Sequence, residues 1–329
     1  MGQAEEHPED AAQRGSVPHG LGHVQSPVGD EVKALQQTED GLAYEDGVLT
    51  LPDGRELAWR WWGDPDGTPL LRIQGTPSSR LQRNHDPSVQ RELGVRYLMA
   101  DRAGFGGSTR KPGRGIADMA DDLAALLDHQ GIDRIGAMGT SGGGPHVLAL
   151  AARHPQKVSA VTVVVGASPL APEEVAGLVG VNAKGYGLAE QGWQQLHDFL
   201  AEVRVRLLGD EGMQGVLSDA PPEDRAIMED PAWQRISREN IAESLKQGAE
   251  GWTDESLVLH GGWDFDPGQV RTRVTWWHGD DDMNVPLSAA RRAATGLPKV
   301  DIRTWHGEGH FVSLTHDREI VQDLLSRST

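Results

Sequence analysis

The 329-residue chain contains no cysteine. That absence excludes a disulfide framework, a thiolate zinc site, an iron–sulfur cluster and a cysteine nucleophile. No run of 18 apolar residues occurs either, so no segment reads as a membrane span. Bases are scarce: 31 Lys and Arg stand against 49 Asp and Glu, a formal net charge of −18. Nucleic acid and anionic membrane surfaces both call for Lys/Arg clusters, so neither is expected as a partner. The first residues lack the positive start and apolar run of a secretory signal, and the expectation is a soluble, cytoplasmic protein.

The acid is unevenly spread. Residues 1–40 hold eight acids and two bases, among many Gly, Pro and Gln. With no sustained apolar period, residues 1–41 read as an acidic, disordered extension. His7, His19 and His23 fall there and read as solvated side chains without a metal. At roughly 100–200 residues per domain, the remainder is one large domain or two modest ones.

From residue 42 the pattern is regular. Gly47 to Leu51, the turn Pro52-Asp53-Gly54 and Leu57 to Trp62 read as a hairpin, its tryptophans Trp59, Trp61 and Trp62 as packing. Short apolar runs at Leu70–Ile73, Arg96–Ala100, Ile135–Met138 and Ala160–Val165 read as strands. Between them the 116–130 segment repeats apolar residues at helical spacing, and His146 to Arg153 is rich in Ala and Leu. Alternation of this kind indicates an α/β fold with a mostly parallel, doubly wound sheet. It breaks near Ser168, where about 90 residues show helical stretches (Trp193 to Leu208, Trp233 to Gln247) and no convincing strand. It resumes with a strand at Val274–His278, a helix near 287–295, a strand at Asp301–Trp305 and a terminal helix near 318–325. The expected division is a core from 42–168 and 259–329, interrupted by a helical cap at 169–258.

Gly139-Thr140-Ser141-Gly142-Gly143 lies between a strand and a helix. In that setting G-x-S-x-G is a nucleophile elbow, a tight turn presenting the serine hydroxyl at the helix start. Serine needs a base, and the base an orienting acid. His310, on the glycine-flanked loop past the last strand, is the candidate base. His306 and His278 read as local hydrogen-bonding or packing residues. Asp280, Asp281 and Asp282 compete for the orienting role. Asp282 fits best, because the third position after Gly279 can turn back toward the sheet edge; the other two read as solvated. Two backbone N–H groups must hold the oxyanion, and Gly142 and Thr76, in the loop after the Leu70–Gln74 strand, are the candidates.

These segments resemble the α/β-hydrolase fold superfamily. QGTPSSRL (74–81) resembles its H-G-x-P loop and DRAGFGGST (101–109) its D-x-x-G-x-G-x-S segment. GTSGGGPHVLALAA (139–152) is similar to the elbow of a bacterial subgroup of mostly unassigned hydrolases. WWHGDDDMNVP (276–286) and GEGHF (307–311) complete the pattern. The resemblance implies a serine hydrolase acting on an ester, thioester or lactone of a small, largely apolar molecule, without cofactor or metal. Carbon–carbon bond hydrolysis, acyl transfer, cyclisation, aminopeptidase-like amide hydrolysis and silent ligand binding remain as alternatives, and a homodimer stays open. Serine at the elbow excludes the epoxide-hydrolase and haloalkane-dehalogenase branches, which need aspartate there. Two departures stand out. Gln74 replaces the usual histidine, which implies a tuned site, and Gly142 replaces a larger residue, which implies more room above the serine. Gln74, Trp193, Trp233 and Phe311 are the expected pocket residues. The tryptophans in or beside the cap, Trp252 and Trp263 included, either line that pocket or anchor the lid.

Overall fold

The computed structural model describes residues 31–32, 34–178, 180–210, 212–218 and 220–328. The expected disordered extension and its three histidines therefore lie, up to residue 30, outside the described residues. From Glu31 onward the extension is not loose. β1 (Glu31–Val32) and β2 (Gln36–Gln37) both pair antiparallel with β3 (Ala43–Thr50). Two-residue pairings of this kind leave no periodicity for a sequence to display.

β3 and β4 (Glu56–Trp62) form the expected hairpin. The remaining strands are β5 (Thr68–Ile73), β6 (Val95–Ala100), β7 (Ile135–Thr140), β8 (Val158–Val164), β9 (Val274–Gly279) and β10 (Val300–Trp305). Their spatial order is β1-β3-β4-β6-β5-β7-β8-β9-β10. All pairings from β6 to β10 are parallel, and β4 joins β6 antiparallel. Parallel strands covered on both faces need continuous apolar runs. β7 and β8 meet that need, being buried throughout except for Ser159.

The order explains where a ligand can bind. From β5 the chain steps to β6 on one side, then crosses back to place β7 on the other. A crevice opens at such a reversal, beyond the carboxyl ends of the strands. The segment after β5 begins at Gln74 and the segment after β7 at Ser141, so both flank it.

Helices Ile116–His129 and Gly143–Arg153 cover one face of the sheet, and the terminal helix Asp317–Ser328 covers the other. Between β8 and β9 lies the expected helical insertion. It runs from the short helix Pro172–Val175 to the helix Glu250–His260, with no strand among the described residues. Leu196, Leu200, Leu207, Ile241 and Trp252 form its own apolar core, onto which Phe105 from the sheet domain packs.

Glycine supplies the closeness at the crevice. A Cβ on Gly143 would stand 2.2 Å from Ile73 O and 2.7 Å from Gln74 O, both backbone atoms. Neither carbonyl can move without displacing β5. Gly187, in the cap helix Gly180–Ala189, has nothing within 4 Å of a built Cβ. Gly143→Ala should therefore cost roughly 1–3 kcal/mol by overpacking. Gly187→Ala should be neutral or stabilising by up to about 1 kcal/mol. Thermal melts of the two variants beside the parent check the contrast; equal melting temperatures would contradict it.

Candidate active site

Ser141 follows β7 with φ 51°, a left-handed backbone rarely held by a residue with a side chain. Such strain costs about 1–3 kcal/mol and persists only where the surroundings fix it. Three hydrogen bonds do so: Ser141 N to Val164 O at 2.9 Å, Gly144 N to Ser141 O at 2.8 Å, and Ala167 N to Ser141 O at 2.9 Å. At about 0.5–1.5 kcal/mol each, they offset the strain. The turn aims the serine hydroxyl into the crevice.

His310, past the end of β10, reaches Ser141 Oγ with Nε2 at 2.9 Å. Its Nδ1 lies 2.8 Å from Asp282 Oδ2. Three residues far apart in sequence thus form one hydrogen-bonded row, in the order the sequence suggests. Asp282 is buried, whereas Asp280 and Asp281 are exposed. The carboxylate of Asp282 turns back because it also accepts the N–H groups of Asn284 and Val285, at 2.8 and 2.9 Å. Asp280 is more than a solvated acid: it meets His306 Nδ1 at 2.7 Å and accepts Gly307 N–H at 2.8 Å. That local pairing is the role expected of His306. His278 is buried, with Nε2 2.9 Å from Val285 O.

Burial favours the neutral form of both partners, yet their mutual charge wins. Burial pulls the His310 imidazole down, and the Asp282 carboxylate, with help from Asp224, carries it above the ordinary histidine value. Burial pushes Asp282 up, and His310, His278 and the Val285 N–H bring it below the usual carboxylate range.

Gly142 and Thr76 come together across the crevice, and the room expected above the serine is taken up. A Cβ on Gly142 would lie 2.3 Å from Thr76 Oγ1 and 3.3 Å from Leu259 Cδ1. The glycine therefore leaves no extra room above the serine; the Thr76 side chain occupies it. Gln74 is also corrected: it does not line the cavity. It is buried, and its Nε2 donates to Ala100 O at 2.8 Å, bracing the β5 loop against β6.

The cavity above Ser141 measures about 340 Å³ and lies between the sheet edge and the cap. Trp233, Trp252 and Phe311 line it, with the Trp233 and Phe311 rings edge to face at 5.6 Å. Trp193 does not. Its indole Nε1 donates to Asp254 Oδ1 at 2.7 Å, its face stacks on His197, and Arg110 sits against its ring. Trp263 stacks on Phe265 and is not among the residues lining the cavity. For Gln74 and Trp193 the hydrogen-bond partner that turns the side chain away, Ala100 O or Asp254, is remote in sequence.

Two acids escaped the sequence reading. Asp224, on the cap helix Pro222–Met228, accepts the backbone N–H groups of His310 and Phe311, each at 2.9 Å. It ties the cap to the loop that carries the histidine. In sequence it looks like an ordinary acid in the first turn of a helix. Glu255, wholly buried on the cap helix Glu250–His260, sits among Arg102, Arg114 and His146; no local pattern marks it. Among the described residues, no group of three or more His, Asp or Glu is arranged to hold a metal ion.

Proton NMR of the imidazole tests the electrostatics. His310 should titrate above the model-peptide value of about 6.5. In Asp282→Asn, with the carboxylate charge gone and burial left, its titration should move to lower pH. An unchanged or raised titration in that variant would show that Asp282 does not set the charge of the ring.

The model of the alpha/beta hydrolase fold family matches residues 68–317. A dihydrolipoyllysine-residue acetyltransferase component of an acetoin cleaving system from Pseudomonas putida is 28% identical over 83% of this chain and 66% of its own. A bifunctional esterase/perhydrolase from Acinetobacter calcoaceticus is 24% identical, over 85% of this chain and 98% of its own. Among solved structures, a thermophilic esterase from Thermogutta terrifontis superposes with a TM-score of 0.62. It is 21% identical and covers 86% of this chain and 99% of its own. With sheet order, elbow and family match in agreement, the chain belongs to the α/β-hydrolase fold family and is a hydrolase of that fold.

Proposed function

We propose that the protein hydrolyses an ester, thioester or lactone of a small, neutral, largely apolar molecule through an acyl-enzyme on Ser141. The observation that carries this reading is the row Ser141–His310–Asp282, at hydrogen-bond distances, opening into an apolar cavity. In this reading His310 Nε2 takes the hydroxyl proton as Ser141 Oγ attacks the carbonyl, then gives it to the leaving group. Asp282 keeps Nδ1 protonated and stabilises the imidazolium. The N–H groups of Gly142 and Thr76 hold the oxyanion. Water, activated by the same histidine, releases the acid and restores the serine.

The cavity supports the substrate class. Leu196, Leu200, Leu207, Val216, Ile241 and Trp252 form its cap side. Its one formally charged lining residue among those described is Arg83, whose Nη1 meets Asp40 Oδ2 at 2.8 Å. No lining carboxylate stands ready for a substrate amine, which sets an aminopeptidase-like reading below the esterase one. A charged acyl group would lose its hydration against apolar walls while the Arg83 guanidinium is already taken by Asp40, a cost of several kcal/mol.

A fluorophosphonate probe tests the nucleophile. The parent should take one phosphonyl group, located on Ser141 by peptide mass spectrometry, and Ser141→Ala should take none. Labelling elsewhere, or equal labelling of the variant, would end the acyl-enzyme reading. On a panel of aryl esters, kcat/KM should rise from acetyl to longer neutral acyl groups and fall at least tenfold for acyl groups bearing a terminal carboxylate. The opposite order would contradict the apolar cavity as the acyl site.

A further inference from the structure

The reaction above leaves unused a cluster of buried charge beneath the loop after β5. Arg102, just past the end of β6, is wholly buried. Its Nη1 donates to Gln74 O at 2.6 Å, and its Nη2 to Gly75 O and to Thr76 Oγ1, both at 2.7 Å. The two carbonyls belong to consecutive trans peptides, since the cis bond of this loop lies after Thr76. In a trans peptide the carbonyl and the following N–H point in opposite directions. A guanidinium that draws both carbonyls to itself turns the Gly75 and Thr76 N–H groups the other way. Ser141 borders that same backbone: a Cβ built on Gly75 would stand 3.8 Å from Ser141 Oγ.

Arg102 is held in turn by the cap. Glu255 pairs with Arg102 Nε at 2.8 Å, with Arg114, and with His146 Nε2 at 3.0 Å. Thr76 Oγ1 donates to Glu255 Oε1 at 3.2 Å, so cap carboxylate and loop hydroxyl also meet directly. His146 lies on the helix that starts just after Gly142. Stability alone does not account for such a cluster. Well-packed apolar residues are often as stable as a buried ion pair, because desolvation cancels most of the attraction. A planar guanidinium offers what an apolar residue cannot, a fixed fork of donors that orients several acceptors at once.

We propose that Arg102 is a positioning residue that aims the Thr76 N–H at the oxyanion, and that Glu255 of the cap locks Arg102 in place. The inference rests on the acyl-enzyme reading above. It makes the cap part of the oxyanion site, and not only the roof of the cavity.

Arg102→Gln and Glu255→Gln should each lower kcat about a hundredfold or more, the scale of losing one oxyanion donor. KM should stay within threefold, and the acid limb of kcat/KM should not move, because it reports His310. Affinity for a trifluoromethyl ketone, which forms a tetrahedral oxyanion on the serine, should fall in parallel with kcat. A kcat within threefold of the parent, or a loss confined to KM, would overturn the proposal. Should either variant fail to fold, the crystal structure of the parent phosphonylated on Ser141 decides. Thr76 N within hydrogen-bond distance of the phosphonyl oxygen, with Arg102 still on Gly75 O, supports the proposal. An adduct with the Thr76 N–H turned away overturns it while leaving the nucleophile intact. Failure of Ser141 to form any adduct would overturn the acyl-enzyme reading, and this inference with it.

Discussion

Two turns that follow neighbouring parallel strands lie in backbone contact, and the geometry of the site depends on that approach. The turn after β7 carries Ser141 and the turn after β5 carries Thr76. At Gly143 the two segments come so close that no side chain fits between them. Ser141 is held in a backbone conformation it would not adopt alone, by bonds to Val164, Gly144 and Ala167. Sheet order makes the approach possible, because β5 and β7 are neighbours on either side of the point where the winding reverses. The serine is thus placed by the sheet as a whole, and less by its immediate sequence.

Charge is arranged around that contact in two distinct ways. On one side Asp282 and His310 polarise one another, the histidine raised and the aspartate lowered by the partner's charge against the pull of burial. On the other side Glu255 is held well below the carboxylate range. Burial opposes its charge, and Arg102, Arg114 and His146 outweigh that. The cap reaches both sides: Asp224 fastens the histidine loop, and Glu255 grips the arginine beneath the threonine loop. In this account the insertion between β8 and β9 supplies apolar walls and also two carboxylates that hold the loops of the sheet domain.

What the sequence disclosed followed from local rules. The strands of the parallel sheet show as short apolar runs, the elbow as glycines around a serine, and His310 as the histidine of a glycine-flanked loop past a strand. Asp282 could be separated from two neighbouring acids because only one position in a tight turn points back inward. What it withheld depends on partners far along the chain. Gly142 looks like spare room until Thr76, from a distant loop, is seen to fill it. Trp193 looks like a pocket wall until Asp254, 61 residues on, takes its indole N–H. Gln74 looks like a site residue until Ala100 O takes its amide. Glu255 is one acid among many until the fold closes over it.

Whether Ser141 carries the acyl group during turnover is decided by rapid mixing with an activated aryl ester followed by acid quench. A burst of leaving group approaching one per active site is expected whenever deacylation is the slower step. The quenched protein should carry an acyl group on the peptide containing Ser141, absent in Ser141→Ala. Steady turnover by the parent with no acylated peptide under any mixing time, and undiminished turnover by Ser141→Ala, would contradict an acyl-enzyme on Ser141.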